Sequence, residues 1–344
     1  MTRVLAVRLD SDGDVLLTGP ALRALAAHNE QLDVLVSPTG AAAARLLPEV
    51  HEVLIYAAPW SGYQPPPLDP DAAQALVREL AERHYDLAVV FTSFHQSPLP
   101  MALLARLAGI PRVAATSEDY PGSLLDLRHR RTGGHEVEAA LDLAAAVGAQ
   151  LPAGDAGRLA VRRPLPSVNH LLPGGEFVVV HPGASVPARA LAPEHAAGIV
   201  TGLLAEGWNV VVTGGPAEVE LAGRAAVPGA SNLAGHTTLA ELAAVLSHAG
   251  CVVVGNTGPA HLAAAVGTPV VSLFSPVVPA ERWAPYGVPM VLLGDQQAPC
   301  RDTRARECPV PGHPCLGDVT PAAVVAAVKS LVGAPAPALV AGVG

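Results

Sequence analysis

Twice along this chain a short apolar run of strand type gives way to a helix-like segment and then to another apolar run. The alternation breaks only once. Residues 4–9 (VLAVRL), 32–37 (LDVLVS), 53–57 (VLIYA), 87–91 (LAVVF) and 112–115 read as strands. Helix-like stretches at 15–27, 41–47, 71–83, 98–107 and 136–147 lie between or after them. Strands that alternate with helices pair in parallel through right-handed crossovers, so the pattern predicts a doubly wound sheet with helices on both faces. The break falls at residues 149–176, AQLPAGDAGRLAVRRPLPSVNHLLPGGE, where Pro, Gly and polar residues dominate and a linker is expected. The rhythm then restarts with strands at 177–181 (FVVVH), 209–213 (NVVVT), 251–254, 270–274 and 290–293. Helices are expected at 193–206, 217–225, 238–249, 259–266 and 321–332. At 344 residues the chain can bury two cores. The reading is therefore α/β, two doubly wound Rossmann-like domains at 1–160 and 170–320 facing across a cleft, a C-terminal helix at 321–333 and a flexible tail at 334–344.

Charge and composition narrow the function. Lys and Arg number 21 against 30 Asp and Glu, a formal charge of −9, and aromatic residues are 3% of the chain. Neither the basic footprint nor the stacking surface of a nucleic-acid binder is present. The apolar run near the N-terminus is too short for a signal peptide, and no run approaches the roughly 18 apolar residues of a spanning helix. Four cysteines, three of them clustered at 300, 308 and 315, do not form a secreted disulfide framework, so a cytoplasmic location is expected.

In a doubly wound sheet, ligands bind outside the carboxyl ends of the strands. The second domain places three small, polar turns there: His181-Pro182-Gly183-Ala184-Ser185, Thr213-Gly214-Gly215-Pro216 and Gly255-Asn256-Thr257-Gly258-Pro259. Free N–H groups at helix starts, hydroxyls, and the guanidinium of Arg189 make that edge suited to a phosphate or diphosphate. Candidate anion-binding residues on this edge are thus Gly183, Ser185, Arg189, Gly214, Gly215, Asn256, Thr257 and Gly258, with His261 in the first turn of the following helix; the resemblance described below makes this the donor site. In the first domain the turn Asp10-Ser11-Asp12-Gly13-Asp14 fails as a calcium loop, because Val15 and Ala21 stand where Gly and Glu are needed. Asp14 next to Gly13 is a candidate general base. Cys300, Cys308, His313 and Cys315 follow no standard zinc spacing, and no metal is assigned. Arg301, Arg304 and Arg306 read as a solvated or acceptor-facing basic patch.

These motifs together resemble glycosyltransferase family 9, the ADP-heptose:lipopolysaccharide heptosyltransferases and their relatives, over nearly the whole chain. The matching stretches are VLAVRLDSDGDVLLTGPALRAL (4–25), RRTGGHEVEAALDLAAAVG (130–148), HPGASVPARALAPEH (181–195), NLAGHTTLAELAAVLSHA (232–249), VVVGNTGPAHLAAAVGTPVVSLFSP (252–276) and CPVPGHPCLGDVTPAAV (308–324). The resemblance implies a GT-B arrangement, with an N-terminal acceptor-binding domain and a C-terminal nucleotide-sugar-binding domain. It implies inverting, metal-independent transfer from a nucleotide-sugar donor, with ADP-heptose favoured, to a saccharide, glycolipid or small glycoside. A glycolipid acceptor would bring the protein to a membrane surface as a peripheral enzyme. Asp14 inherits the role of general base, and Gly13, Arg131 and His135 the acceptor side. Arg189 stands where the family has a phosphate-binding Lys, and Asn256 where it has an Asp for donor-sugar hydroxyls. A sugar-nucleotide binding protein, or a GT-B-like epimerase or hydrolase, would use the same phosphate turns without acceptor transfer. A two-lobed solute-binding protein would share the paired domains but requires export.

Overall fold

The structure, a computed structural model, describes residues 2–93 and 96–334; apart from Ala334 the expected tail lies outside the described residues. Contacts divide the chain into two compact units, Met1–Arg162 and Arg163–Gly344.

The first unit runs β1 (Arg3–Arg8), α1 (Asp12–Ala27), β2 (Gln31–Val36), α2 (Ala41–Leu46), β3 (Glu52–Ile55), α3 (Pro70–Glu82), β4 (Leu87–Val90), α4 (Leu99–Leu107), β5 (Arg112–Thr116), β6 (Leu127–His129) and α5 (Glu136–Ala146). Its strands form one parallel sheet in the order β3-β2-β1-β4-β5-β6. The central strands are apolar along most of their length because helices cover both faces of such a sheet. Leu5, Val7, Leu35 and Val90 pack with Leu80 and Met101 of α3 and α4 in one core. Asp69 caps α3 by accepting from the N–H groups of Asp71 and Ala72, with Pro70 in the first turn.

The second unit repeats the plan: β7 (Phe177–His181), α6 (Pro193–Ala205), β8 (Asn209–Val212), α7 (Val219–Ala225), β9 (Ser231–Asn232), α8 (Leu239–His248), β10 (Cys251–Gly255), α9 (Gly258–Val266), β11 (Val270–Leu273), α10 (Ala280–Trp283), β12 (Met290–Leu293), α11 (Pro314–Gly317) and α12 (Pro321–Val332). The order β12-β11-β10-β7-β8-β9 is the same doubly wound topology as in the first unit. Val178, Val180, Val212 and Val253 meet Ile199, Val324 and Val328 in its core. Thr238 and Glu241 close a capping box on α8, and Thr320 caps α12.

Strand order reverses beside β1 and β4 in the first unit and beside β7 and β10 in the second. A crevice opens at each such switch point, at the carboxyl ends of the strands, bordered by the loops leaving β1 and β4 in the first unit and by those leaving β7 and β10 in the second. At the second switch point Gly255 lets two loops meet. A Cβ on Gly255 would lie 2.6 Å from the Arg189 carbonyl oxygen. Gly255→Ala is therefore expected to destabilise the second unit by about 1–3 kcal/mol through overpacking. Urea unfolding should show a lower midpoint than wild type.

Candidate active site

The first-unit site is built on a charge inside a strand. Arg8 ends β1 and is 4% exposed. Its Nε lies 2.9 Å from the Asp10 carboxylate, and its Nη2 donates to Asp14 at 3.1 Å and to Ser93 Oγ at 3.0 Å. Glu136, the first residue of α5, lies 4.0 Å from the same Nη2, and Arg131 forms a 2.7 Å ion pair with Glu136. Burial by itself would lower the Arg8 pKa, but Asp10, Asp14 and Glu136 around it drive it up. Burial raises the Asp10 carboxyl against the pull of Arg8.

Exposure distinguishes the carboxylates. The Asp14 side chain is 23% accessible, against 10% for Asp10 and 4% for Glu136. Asp10 also accepts from Gln96 Nε2 at 2.5 Å, and Asp12 accepts from the Ala43 N–H at 2.9 Å. Of the three carboxylates around Arg8, Asp14 is the most accessible, with Ser11 Oγ donating to it at 3.1 Å. It sits in the first turn of α1, where free N–H groups and the helix dipole favour a negative charge. Gly13 is a buried residue of the same helical turn. His135 caps α5, its Nδ1 accepting from the Val137 N–H at 3.2 Å, so any proton on that ring is at Nε2.

The second-unit turns share one sheet edge, because β7, β8 and β10 are parallel neighbours. His181 joins two of them: Nδ1 lies 3.0 Å from Thr213 Oγ1, and Nε2 faces the Glu218 carboxylate at 3.4 Å. The His181 contact holds the Glu218 carboxyl below its ordinary range, and the Gly215 N–H donates to it at 2.7 Å. Gly183 and Gly214 both pack against Glu218, and a Cβ on Gly183 would run into its carboxylate. These glycines thus have a packing reason that their sequence did not reveal. Ser185 is exposed and Arg189 half-buried. The Arg306 guanidinium donates to the Ser185 carbonyl at 3.0 Å, and the Ala188 N–H donates to the Arg306 carbonyl at 2.8 Å. His313 Nε2 meets the Ala188 carbonyl at 3.1 Å. Arg306 is therefore a brace for the loop that carries Arg189, holding it by its side chain at Ser185 and by its own carbonyl at Ala188.

Asn256 is 4% exposed and sits in the turn between β10 and α9. Its Nδ2 donates to the Ser275 carbonyl and its Oδ1 accepts from the Ser275 N–H, both at 3.3 Å. The amide makes a two-bond bridge to the chain leaving β11. A carboxylate at 256 would place an oxygen against the Ser275 carbonyl, so this packing requires an amide. Thr257 precedes α9, Gly258 and Pro259 open it, and His261 is buried in its first turn.

Cys300 and Cys315 are buried and Cys308 half-buried, all as free thiols. Burial is the main cause that pushes the Cys315 thiol up to about 11. Among the described residues, only Asp33, His51 and Glu52 bring three ligand atoms within metal-binding reach of one another. The Cys300, Cys308, His313 and Cys315 side chains do not. Asp33 already accepts from Tyr85 Oη at 2.7 Å and from Gln31 Nε2 at 3.0 Å.

Residues 73–313 match the family described as glycosyltransferase family 9 (heptosyltransferase). The chain is 32% identical to lipopolysaccharide heptosyltransferase 1 of Pseudomonas aeruginosa over 321 residues, covering 89% of this chain and 87% of that protein. The chain belongs to glycosyltransferase family 9. It is also 32% identical to an Escherichia coli lipopolysaccharide heptosyltransferase 3 over 173 residues, 48% of this chain and about half the length of that relative, at 49%. An E. coli heptosyltransferase solved with ADP-2-deoxy-2-fluoro heptose superposes with a TM-score of 0.70 at 24% identity, covering 96% of this chain and 99% of that one. The two doubly wound units are thus those of the GT-B class, and the protein is a heptosyltransferase-type enzyme.

For this family 9 chain, sequence reading singled out Asp14 and the polar turns but not the partners the structure gives them, Arg8, Ser93, Gln96, Glu136 and Glu218. A lone arginine inside the apolar run VLAVRL was the one available signal, since an unpaired charge is not buried there without partners. The paired Glu218 predicts a pH effect. Because its folded pKa is depressed by His181, the contribution is present above its ordinary 4.5 and lost as pH falls through the folded value. The melting temperature of Glu218→Gln should consequently fall less than that of wild type between pH 6 and pH 3, as measured by calorimetry.

Proposed function

We propose that this enzyme moves a heptose from ADP-heptose to a hydroxyl of a glycan or glycoside, with inversion at the anomeric carbon. The observation that carries the reading is Asp14, the accessible carboxylate of a buried ion network at the first-unit switch point, in a chain of this family. The acceptor hydroxyl attacks the anomeric carbon as the bond to the diphosphate breaks. Asp14 takes the hydroxyl proton, and ADP departs with the electron pair. One displacement inverts the centre. Arg8 fixes the Asp14 carboxylate in position and balances its charge. On the donor side, Arg189 and the start of α9 at Thr257 and Gly258 receive the diphosphate, stabilising charge where it develops. His261 sits beside that helix start.

Support for the donor comes from the relatives: the named curated proteins are heptosyltransferases, and the solved one holds an ADP-heptose analogue. The N-terminal unit then takes the acceptor, with Gly13, Arg131 and His135 on its side, and the C-terminal unit the nucleotide sugar. A fixed guanidinium and a helix terminus do the electrostatic work, so transfer is expected to persist in EDTA. The four free thiols suit a cytoplasmic enzyme. Among the described residues no helix is long and apolar enough to cross a membrane, and a glycolipid acceptor would be met at the membrane surface.

Asp14→Asn is expected to lower kcat by about 10²–10⁴ in an ADP-release assay while ADP still raises the melting temperature. Near-full transfer by that variant would overturn the mechanism. Arg189→Ala should weaken ADP binding about 10- to 100-fold, the loss of a charge-assisted phosphate contact, as read by isothermal titration.

A further inference from the structure

Two guanidinium groups and one carboxylate share a small recess of the first unit, which Arg8, Arg131 and Glu136 line together with Thr116 and Leu143. Glu136 Oε1 is 2.7 Å from Arg131 Nη2, and its Oε2 is 4.0 Å from Arg8 Nη2. None of the three side chains is more than 8% accessible. Helix α5 has no need of a carboxylate at 136, because His135 and Glu138 already close its capping box. A buried carboxylate is costly unless it is paired, so the reason for Glu136 lies in the charges it faces. Those charges are Arg8 from β1, Asp10 after it, Asp14 from α1 and Arg131 from the segment before α5.

The Arg8 Nη2 that faces Glu136 is the atom that donates to Asp14 at 3.1 Å. Asp14 and Glu136 therefore share one cation, and Arg131 is held by the other oxygen of Glu136. Among the described residues Arg131 forms no second ion pair. Without the negative charge at 136, two like charges would face each other across the recess. Arg131, buried and unmatched, would be drawn to the carboxylates that remain around Arg8, which are Asp10 and Asp14. A carboxylate gripped by two guanidinium groups takes up a proton less readily than one gripped by a single group, since each cation opposes the arriving proton.

We propose that Glu136 is a positioning residue for transfer: by holding Arg131 and sharing Arg8 it leaves Asp14 with one cation, ready to accept the proton of the attacking hydroxyl. The inference rests on Asp14 acting as the base, as in the function proposed above, and it adds to that reading a residue that acts through its two arginines.

ADP release from ADP-heptose by the full-length enzyme tests it, with water standing in for the acceptor hydroxyl as the group that Asp14 deprotonates. Glu136→Gln keeps the shape and removes the charge. It should lower kcat about 10- to 100-fold, while KM for ADP-heptose and the thermal shift with ADP stay within about twofold of wild type. Glu136→Asp retains the charge and should keep kcat within about threefold of wild type. In an Arg131→Gln background the cation to be held is gone, so adding Glu136→Gln should change kcat by less than about threefold. This comparison stands even where Glu136→Gln alone does not fold, because the double variant buries neither charge. Near-wild-type kcat in Glu136→Gln, or the same loss with and without Arg131, would overturn the inference, the second being the result of a purely structural role. Asp14→Asn, measured alongside, separates the two claims. Release that survives Asp14→Asn overturns the base itself, whereas release that depends on Asp14 and not on Glu136 overturns the positioning role alone.

Discussion

A guanidinium buried at the end of a parallel strand governs the first unit. Arg8 is out of water, so it must be neutralised on the spot, and the fold answers with carboxylates from three elements: Asp10 after β1, Asp14 in α1 and Glu136 in α5. Each of these would itself be costly to bury unpaired. The network therefore ties β1, α1, the segment after β4 and the start of α5 into one arrangement. It leaves a single carboxylate, Asp14, with useful access to solvent. Satisfying the buried charge and presenting the reactive one are the same structural event.

The second unit solves its ligand edge differently. Its strands carry no buried arginine, and the loops are joined by neutral or weakly charged contacts: His181 with Thr213 and Glu218, Asn256 with the Ser275 peptide, and the Arg306 backbone with Ala188. These contacts hold the turns in place and leave the Arg189 loop against Gly255. Asn256, which resemblance to the family marked as a departure, has a local physical cause in the carbonyl it must donate to.

Much of the architecture was legible because it depends on short-range pattern. Apolar triplets such as Val178–Val180 and Val252–Val254 announced buried parallel strands. The edge strands β6 and β9 were not legible. They are three and two residues long, and Leu127, Arg128 and His129 are only partly buried, so no apolar run marks them. The short helices α10 and α11 were missed for the same reason, being one turn each without periodicity to read. In the site, Asp14 and the glycine turns stood out through residue type and spacing. Ser93 and Gln96 did not, because they reach Arg8 and Asp10 across 85 and 86 positions.

By itself the sequence determined that this chain forms two parallel sheets with their polar turns gathered at the carboxyl ends of the strands, since hydrophobic periodicity and turn chemistry act between neighbours. It determined, through six ordered motifs, the family to which the chain belongs. Only the tertiary structure decided which of the carboxylates around Arg8 remains accessible, which arginines are already neutralised, and that the Asn256 amide is spent on Ser275. Those outcomes depend on groups far apart in sequence that meet in a medium of low polarity, where a charge or an amide takes its character from whatever partner the fold brings to it.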